Sequence, residues 1–481
     1  MSGTAPQGGE GGGPGPEGRK DPRIFRYRSE LPHPAEKVFR WHLRPGALER
    51  LTPPWVQVRV LDREGGISDG GSVTLQLRRG PLSFRWTLRH TAFEENVLFR
   101  DEQESGPFAR WVHEHRFQDL GEGRSAVEDV VEWQPPLGGL GELLGPGPVE
   151  RQLARLFAFR HARLAEDLER HGAAAGGPVR TVAISGASGF VGGSLAAFLS
   201  TGGFRVRRLV RDGADSDEDL IPWNPRRGEL DIHLLEGVDA VVHLAGEPIA
   251  GVRWTATKKR AIRESRVRGT TLLARAVARM DHRPQAFVSA SGVNYYGDRG
   301  NEVLTEESRP GEGFLADVCQ AWEGATEPAV KAGVRTVSLR TGMVLAPSGG
   351  ALGTMLLPFQ LGLGGRLGSG RQYVSWIDRD DHLALILHCL QESEVHGPVN
   401  ATAPHPVPNA TFTGTLGRVL GRPTLVPAPA FALRTLLGEM GEELLLSSVR
   451  AIPRKAQSTG FHFAREGLEE ALRHQLGRIE E

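Results

Sequence analysis

The residue types most able to do chemistry cluster between positions 182 and 211. Val182-Ala183-Ile184-Ser185 is an apolar run of strand length, and Gly186-Ala187-Ser188-Gly189-Phe190-Val191-Gly192 follows it directly. A helical pattern starts at once, with Leu195, Phe198 and Leu199 on one side. Diphosphate binding needs this order. Gly186 makes a tight turn, Gly189 lets main chain approach a pyrophosphate, and Gly192 lets helix and sheet pack closely. The helix start, with Ser188, Phe190 and Val191, presents unpaired N–H groups that favour an anion. The same glycines elsewhere would be a surface turn; here strand and helix stand in the required places.

Two further segments bear on the same ligand. Phe204-Arg205-Val206-Arg207-Arg208-Leu209-Val210-Arg211 reads as the second strand. An acid at its end accepts hydrogen bonds from a ribose 2′-OH, whereas an arginine pairs with a 2′-phosphate. Arg211, next to Val210, favours NADP(H); Asp212 keeps NAD open. A third strand over 238–246 ends in Leu244-Ala245-Gly246, where an adenosine has room to pack on main chain. A different chemistry is suggested by His113-Glu114-His115. Alternation puts both imidazoles on one strand face, but no third ligand is in view. A solvated face is therefore expected, and no metal is assigned.

The elements that position these residues divide the chain. At 481 residues it exceeds one ordinary core, so two or three domains are expected. Lys plus Arg and Asp plus Glu both total 58, which gives no net charge to recruit nucleic acid or an anionic membrane. Cys319 and Cys389 fit neither a disulfide framework nor a thiolate metal site. No signal peptide or run of ~18 apolar residues is visible, so a cytoplasmic protein without a membrane span is expected. Residues 1–21, rich in Gly, Pro and Glu, read as a disordered tail, and 173–178 as a linker. Between them, 22–172 shows a strand over 24–28, then a helix carrying Val38, Phe39 and Trp41. Strand-like runs follow over 56–61, 72–77, 82–90, 111–117 and 125–133. A long helix with Val149, Leu153, Phe157, Leu164 and Leu168 in one stripe closes the region.

That order of elements, with Pro34-Ala35-Glu36-Lys37-Val38-Phe39, resembles the START-like (polyketide cyclase/dehydrase-related) family. The resemblance implies an α+β helix-grip domain with an apolar ligand between sheet and helix. Residues 179–400 resemble the extended short-chain dehydrogenase/reductases, and specifically their atypical "epimerase family". Gly246-Glu247-Pro248-Ile249, Arg253-Trp254-Thr255, Tyr295-Tyr296-Gly297, Arg340-Thr341-Gly342 and Ser375-Trp376-Ile377-Asp378 carry that resemblance. It implies a Rossmann-type doubly wound parallel sheet binding NADP(H) and a small-molecule substrate. Residues 401–481 resemble that family's uncharacterised C-terminal domain and imply a mostly helical region on the substrate side, without chemistry of its own.

The resemblance also implies a Ser, Tyr and Lys relay, in which a lysine four residues after the tyrosine tunes its phenol. Ser291 matches the serine. If Glu323 marks the register, the other two positions hold Leu315 and Cys319, and no Tyr-x-x-x-Lys occurs in the chain. Tyr295 or Tyr296 is one replacement; Asp317 or Cys319 is another; binding of NADPH without rapid turnover is the third. Arg266 is expected to meet phosphate or ribose, and main chain at Met343 to reach the carboxamide. Arg371 and Trp376 fall on the substrate side, with Arg371 a partner for an anionic group. Three functions stay open: an oxidoreductase or epimerase-like enzyme, a non-catalytic nucleotide sensor or scaffold, and a carrier working through its N-terminal domain. Oligomeric state is left undetermined.

Overall fold

The computed structural model of the chain describes residues 22–80, 82–135, 147–211, 217–251 and 253–478. The expected tail over 1–21 and Asp212 lie outside the described residues.

The N-terminal layer is an antiparallel sheet in the order β1-β7-β6-β5-β4-β3-β2. Its strands are β1 (Arg23–Leu31), β2 (Gln57–Glu64), β3 (Ser72–Arg79), β4 (Leu82–Glu94), β5 (Leu98–Ser105), β6 (Arg110–Gly121) and β7 (Arg124–Gln134). Helices α1 (Ala35–Leu43) and α2 (Ala47–Leu51) connect β1 to β2. The closing helix α3 (Gly147–Ala173) spans the inner face of the sheet. Leu153 and Phe157 pack with Trp111, Val131 and Trp133, while Leu164 and Leu168 pack with Phe99, Phe117 and Val127. Fully burying each such side chain is worth about 1.5–3 kcal/mol, so these contacts hold helix to sheet. Strand β5 has no counterpart among the expected strands. Its sequence, LFRDEQES, is apolar only at the start, and pairing on both sides makes it a strand.

The expected solvated face at His113 and His115 is corrected here. Both imidazoles are buried, on the inner side facing α3. Glu114 points the other way, to Arg100 and Arg116.

The second layer is an eight-stranded sheet, and all its pairings but one are parallel. It contains β8 (Thr181–Ser185), β9 (Arg205–Val210), β10 (Leu220–Asn224), β11 (Glu229–Leu230), β12 (Ala240–His243) and β13 (Ala286–Gly292). Short strands β14 (Val303–Leu304), β16 (Met343–Leu345), β17 (Tyr373–Val374) and β18 (Trp376–Asp378) stand outside it. With β15 (Arg335–Thr341) and β19 (Gly397–Ala401), the order is β11-β10-β9-β8-β12-β13-β15-β19. Helices cover both faces. Leu195 and Phe198 of α4 (Phe190–Thr201) and Leu383 of α7 (Arg379–Gln391) pack on Val182, Ile184 and Val242. On the other face, Leu273 and Val277 of α5 (Ala256–Arg279) pack on Ala183, Val241 and Phe287. Burial on both faces explains why these strands read as continuous apolar runs. A further helix, α6 (Phe314–Gly324), carries Leu315 and Cys319. After β19 the chain is mainly helical, with helices Asn409–Leu420, Ala430–Leu437 and Leu468–Leu476.

The two layers are joined through buried ions. Arg50 of α2 donates to both oxygens of Asp167 at 2.6 and 2.7 Å and to Asp380 of α7 at 3.0 Å. Arg163 also pairs with Asp380, Arg170 pairs with Asp381 at 2.5 Å, and Arg465 pairs with Glu166. Beside them, a Cβ on Gly46 would come 2.7 Å from the Cα of Ala197, so α2 rests directly on α4.

Candidate nucleotide-binding site

Strands β9, β8 and β12 are adjacent, and their C-terminal ends hold most of the residues the sequence singled out. Ser185 is level with His243 on one side and Leu209 on the other. Gly186, Val210 and Leu244 therefore emerge side by side. Chain direction across the sheet reverses between β8 and β12, and ligands of open α/β sheets sit in the crevice at such a point.

Each glycine of the turn has a distinct reason. Gly186 has φ +74°, and a Cβ there would meet Ala245 N at 2.9 Å and Leu244 C at 3.0 Å. Gly192 is buried, and its Cβ would sit 2.2 Å from Gly186 O. The close approach is thus helix to turn, where helix to sheet was expected. Gly189 is the N-cap of α4, without a side-chain cap, and its N–H donates to Gly186 O at 2.9 Å. The first N–H groups of the helix, beginning at Phe190 and Val191, have no intrahelical acceptor. Ser188 and Gly189 beside them are exposed. The ring of Phe190 turns inward, 2.8 Å from a Cβ built on Gly349.

Among the described residues, the basic strand leaves two cations uncommitted, Arg208 within it and Arg211 just past its end. Arg205 pairs with Asp219, and Arg207 donates to the carbonyls of Leu234 and Glu218. Arg211 is exposed and, among the described residues, has no hydrogen bond or ion pair. Below the turn, Ser185 Oγ and His243 Nδ1 are 2.6 Å apart. Burial first, then the nearby Arg266, pushes His243 down to about 3, so this imidazole is neutral.

Arg266 is half-buried. It lies against Gly246, whose Cβ would be 3.4 Å from the guanidinium carbon, and over the Trp322 ring at 4.8 Å. Its Nη1 donates to Glu247 O at 3.0 Å and Ile262 O at 3.1 Å. Main chain beyond Gly246 is therefore held by this arginine.

Ser291 donates to Glu323 at 2.7 Å, and Glu323 also takes Arg340 Nε at 2.8 Å and Nη2 at 2.9 Å. Tyr296 is wholly buried; its hydroxyl donates to Asn400 at 2.7 Å and accepts from Arg340 at 2.9 Å. Burial pushes this phenol up to about 12. The structure thus places Tyr296 in the core, with its hydroxyl engaged by Asn400 and Arg340. Tyr295 is half-buried with the Arg340 guanidinium 3.5 Å above its ring. Burial, followed by the charge of Glu323, lifts the Cys319 thiol to about 11, while Asp317 is exposed.

Other expectations change as well. The N–H of Met343 donates to Ser375 O at 2.8 Å and that of Gly342 to Ala401 O at 3.1 Å, so neither is free for a carboxamide. Trp376 is in the core, donating to His405 O at 3.1 Å, whereas Arg371 is exposed. The C-terminal region does contribute to the site. Both oxygens of Glu443 accept the first N–H groups of α6, from Phe314 and Leu315 at 2.7 Å each. A carboxylate is suited to that helix end. Nothing local in the sequence reveals this partner, which lies over a hundred residues away.

This fold and this turn define a Rossmann-type α/β protein. The family model "NAD dependent epimerase/dehydratase family" matches residues 182–401, "Polyketide cyclase / dehydrase and lipid transport" matches 31–157, and a domain of unknown function matches 428–475. An epimerase family protein of Mycobacterium leprae is 43% identical over 297 residues, 62% of this chain and 96% of that one. A solved nucleoside-diphosphate sugar epimerase from Corynebacterium glutamicum is 34% identical, covering 94% of this chain and 90% of that one with TM-score 0.78. The human epimerase family protein SDR39U1, solved with NADPH, is 33% identical, covering 62% of this chain and all of that one with TM-score 0.57. The chain belongs to the epimerase family. Among the described residues, no helix is long and apolar enough to cross a membrane.

Proposed function

We propose that the turn at Gly186 binds NADP(H) and that the chain is an NADP(H)-dependent oxidoreductase or nucleoside-diphosphate-sugar-epimerase-like enzyme. The observation that carries the cofactor is the pairing of uncapped N–H groups at Phe190 and Val191 with the uncommitted Arg211 one strand away. The NADPH in the human relative supports it. Leu244, Ala245 and Gly246 carry the adenosine edge, and Arg266 fixes the loop beyond. Ser291, held by Glu323, orients a substrate oxygen. Tyr295 is the phenol left for proton exchange once Tyr296 is set aside.

A second reading, NADPH binding without rapid turnover, is favoured by Leu315 and a protonated Cys319 at the relay positions. NADPH oxidation against cell-extract metabolites, abolished by Ser291→Ala, would exclude it. For the cofactor itself, NADPH fluorescence is titrated against wild type and Arg211→Glu. Losing a charge-assisted contact worth about 1.5–3 kcal/mol weakens binding roughly 10- to 100-fold. Equal affinities would overturn the assignment of Arg211.

We read the N-terminal layer as a START-like domain holding a small molecule, supported by the family model over 31–157. Its inner face is polar at the centre, with His113, His115, Asp101 and Asp129 all buried there, so a wholly apolar ligand does not suit it. Two buried free thiols, Cys319 and Cys389, support a reducing, cytoplasmic setting.

A further inference from the structure

The centre of the seven-stranded sheet carries a row of ionisable side chains that the nucleotide site does not use. His90, Asp101 and His113 stand opposite one another on β4, β5 and β6. Two residues along, on the same face, His115 stands opposite Asp129. Apolar clusters built around Phe39 and Phe99 on one side and Trp111 and Phe157 on the other enclose the row.

Part of the row is a closed hydrogen-bond chain. Asp129 takes His113 Nε2 at 2.8 Å on one oxygen and His161 Nε2 at 2.6 Å on the other, and His161 Nδ1 meets Ser29 Oγ at 2.5 Å. The remainder is not closed. Asp101 Oδ2, His115 Nδ1 and His90 Nδ1 are buried without a hydrogen-bond partner. His115 Nδ1 lies 2.7 Å from Asp129 but out of hydrogen-bonding alignment, and His113 Nδ1 is 3.3 Å from Asp101. Each such unsatisfied group costs about 1–3 kcal/mol, and three together require an explanation.

We propose that Asp101, His113 and His115 form a binding site for a divalent first-row transition-metal ion of the Zn²⁺ or Fe²⁺ kind. One ligand atom from each lies within 4.8 Å of the other two, and all three residues are buried. Two ligands on one ion at about 2.1 Å are at most about 4.2 Å apart, so small side-chain rotations close the set. Two imidazoles and one carboxylate suit a borderline ion better than Mg²⁺ or Ca²⁺, and three ligands leave a position open to a further molecule. The closed part then acquires a purpose. A ligating histidine usually donates its other N–H to a carboxylate, and His113, with Nδ1 toward the ion, has Nε2 on Asp129. His161 and Ser29 hold that carboxylate in turn. The contacts of Asp129 with His113 at 2.8 Å and His161 at 2.6 Å are hydrogen bonds, too short for co-ligands of one tetrahedral ion.

The test uses the full chain stripped with a chelator and titrated with Co²⁺, followed by its visible absorption, and with Zn²⁺ by calorimetry. One equivalent per chain is expected, lost in Asp101→Asn and His115→Gln and weakened about 10- to 100-fold in Asp129→Asn. Far-UV circular dichroism shows that each variant is folded. No uptake by wild type, or unchanged stoichiometry and spectrum in Asp101→Asn and His115→Gln, overturns the site. Should a variant not fold, a zinc-soaked wild-type crystal decides. An anomalous peak between the three residues supports the proposal, and a peak elsewhere or none contradicts it.

Discussion

In the eight-stranded sheet the polar groups of the site stand at the strand ends, whereas in the seven-stranded sheet they run through the middle. Val182–Ile184 and Ala240–Val242 bury apolar side chains on both faces, and the donors at Phe190, Val191 and Arg211 collect past their ends. The N-terminal strands give one face to solvent and one to α3, and that inner face buries His113, His115, Asp101 and Asp129. A parallel sheet with helices on both sides leaves only its edge for binding. An antiparallel sheet gripping a single helix can place chemistry at its centre, because each polar residue finds partners on the next strand. The first arrangement binds through main chain and tolerates little bulk. The second offers side chains and depends on charge balance.

The largest effect on cofactor binding expected from this contrast is at the turn. Gly192→Val forces atoms into the 2.2 Å gap to Gly186 O, where the neighbour is backbone and cannot rotate away. Overpacking of this kind costs about 1–3 kcal/mol or more, and NADPH binding should be lost with it. A variant that keeps wild-type affinity would show that the turn does not hold the phosphates. Next is the joint between the layers. Arg50→Ala leaves Asp167 and Asp380 short of a buried cation, which typically costs about 3–5 kcal/mol. Urea unfolding should show that loss, and a change below about 1 kcal/mol would mean the layers are held by other contacts.

A further effect is the dependence on pH. Burial lowers His171 to about 4, His382 to about 4 and His243 to about 3. Unfolding frees each to take up a proton below its ordinary 6.5, so the stability these three contribute is full above that pH and falls toward pH 4. The slope is about 1.4 kcal/mol per pH unit for each histidine. His171 packs its ring 4.6 Å from Phe198 with neither nitrogen bonded, so His171→Phe should keep the fold and reduce the slope by one histidine's share. An unchanged slope would assign the acid sensitivity elsewhere.

The same contrast explains what could be read from the sequence. The nucleotide turn is contiguous, so Gly186, Gly189, Gly192 and Arg211 fall together in sequence and in space. Around α3 the partners come from separate strands. His113 and His115 were visible as a pair, but Asp101 sits on β5, whose polar sequence hides its strand character until β4 and β6 pair with it. Glu443 capping α6 and Tyr296 reaching Asn400 are likewise set by packing between distant segments. At Met343 the main-chain N–H is taken by Ser375 O beside the β16–β18 pair, another contact between separate segments that the local sequence does not show.

The nucleotide site depends above all on a diphosphate lying at the end of β8. A crystal structure of the chain with NADPH tests it directly. The pyrophosphate is expected against the N–H groups of Phe190 and Val191, with the 2′-phosphate on the Arg211 guanidinium. An empty turn, or a dinucleotide lying elsewhere, would contradict it.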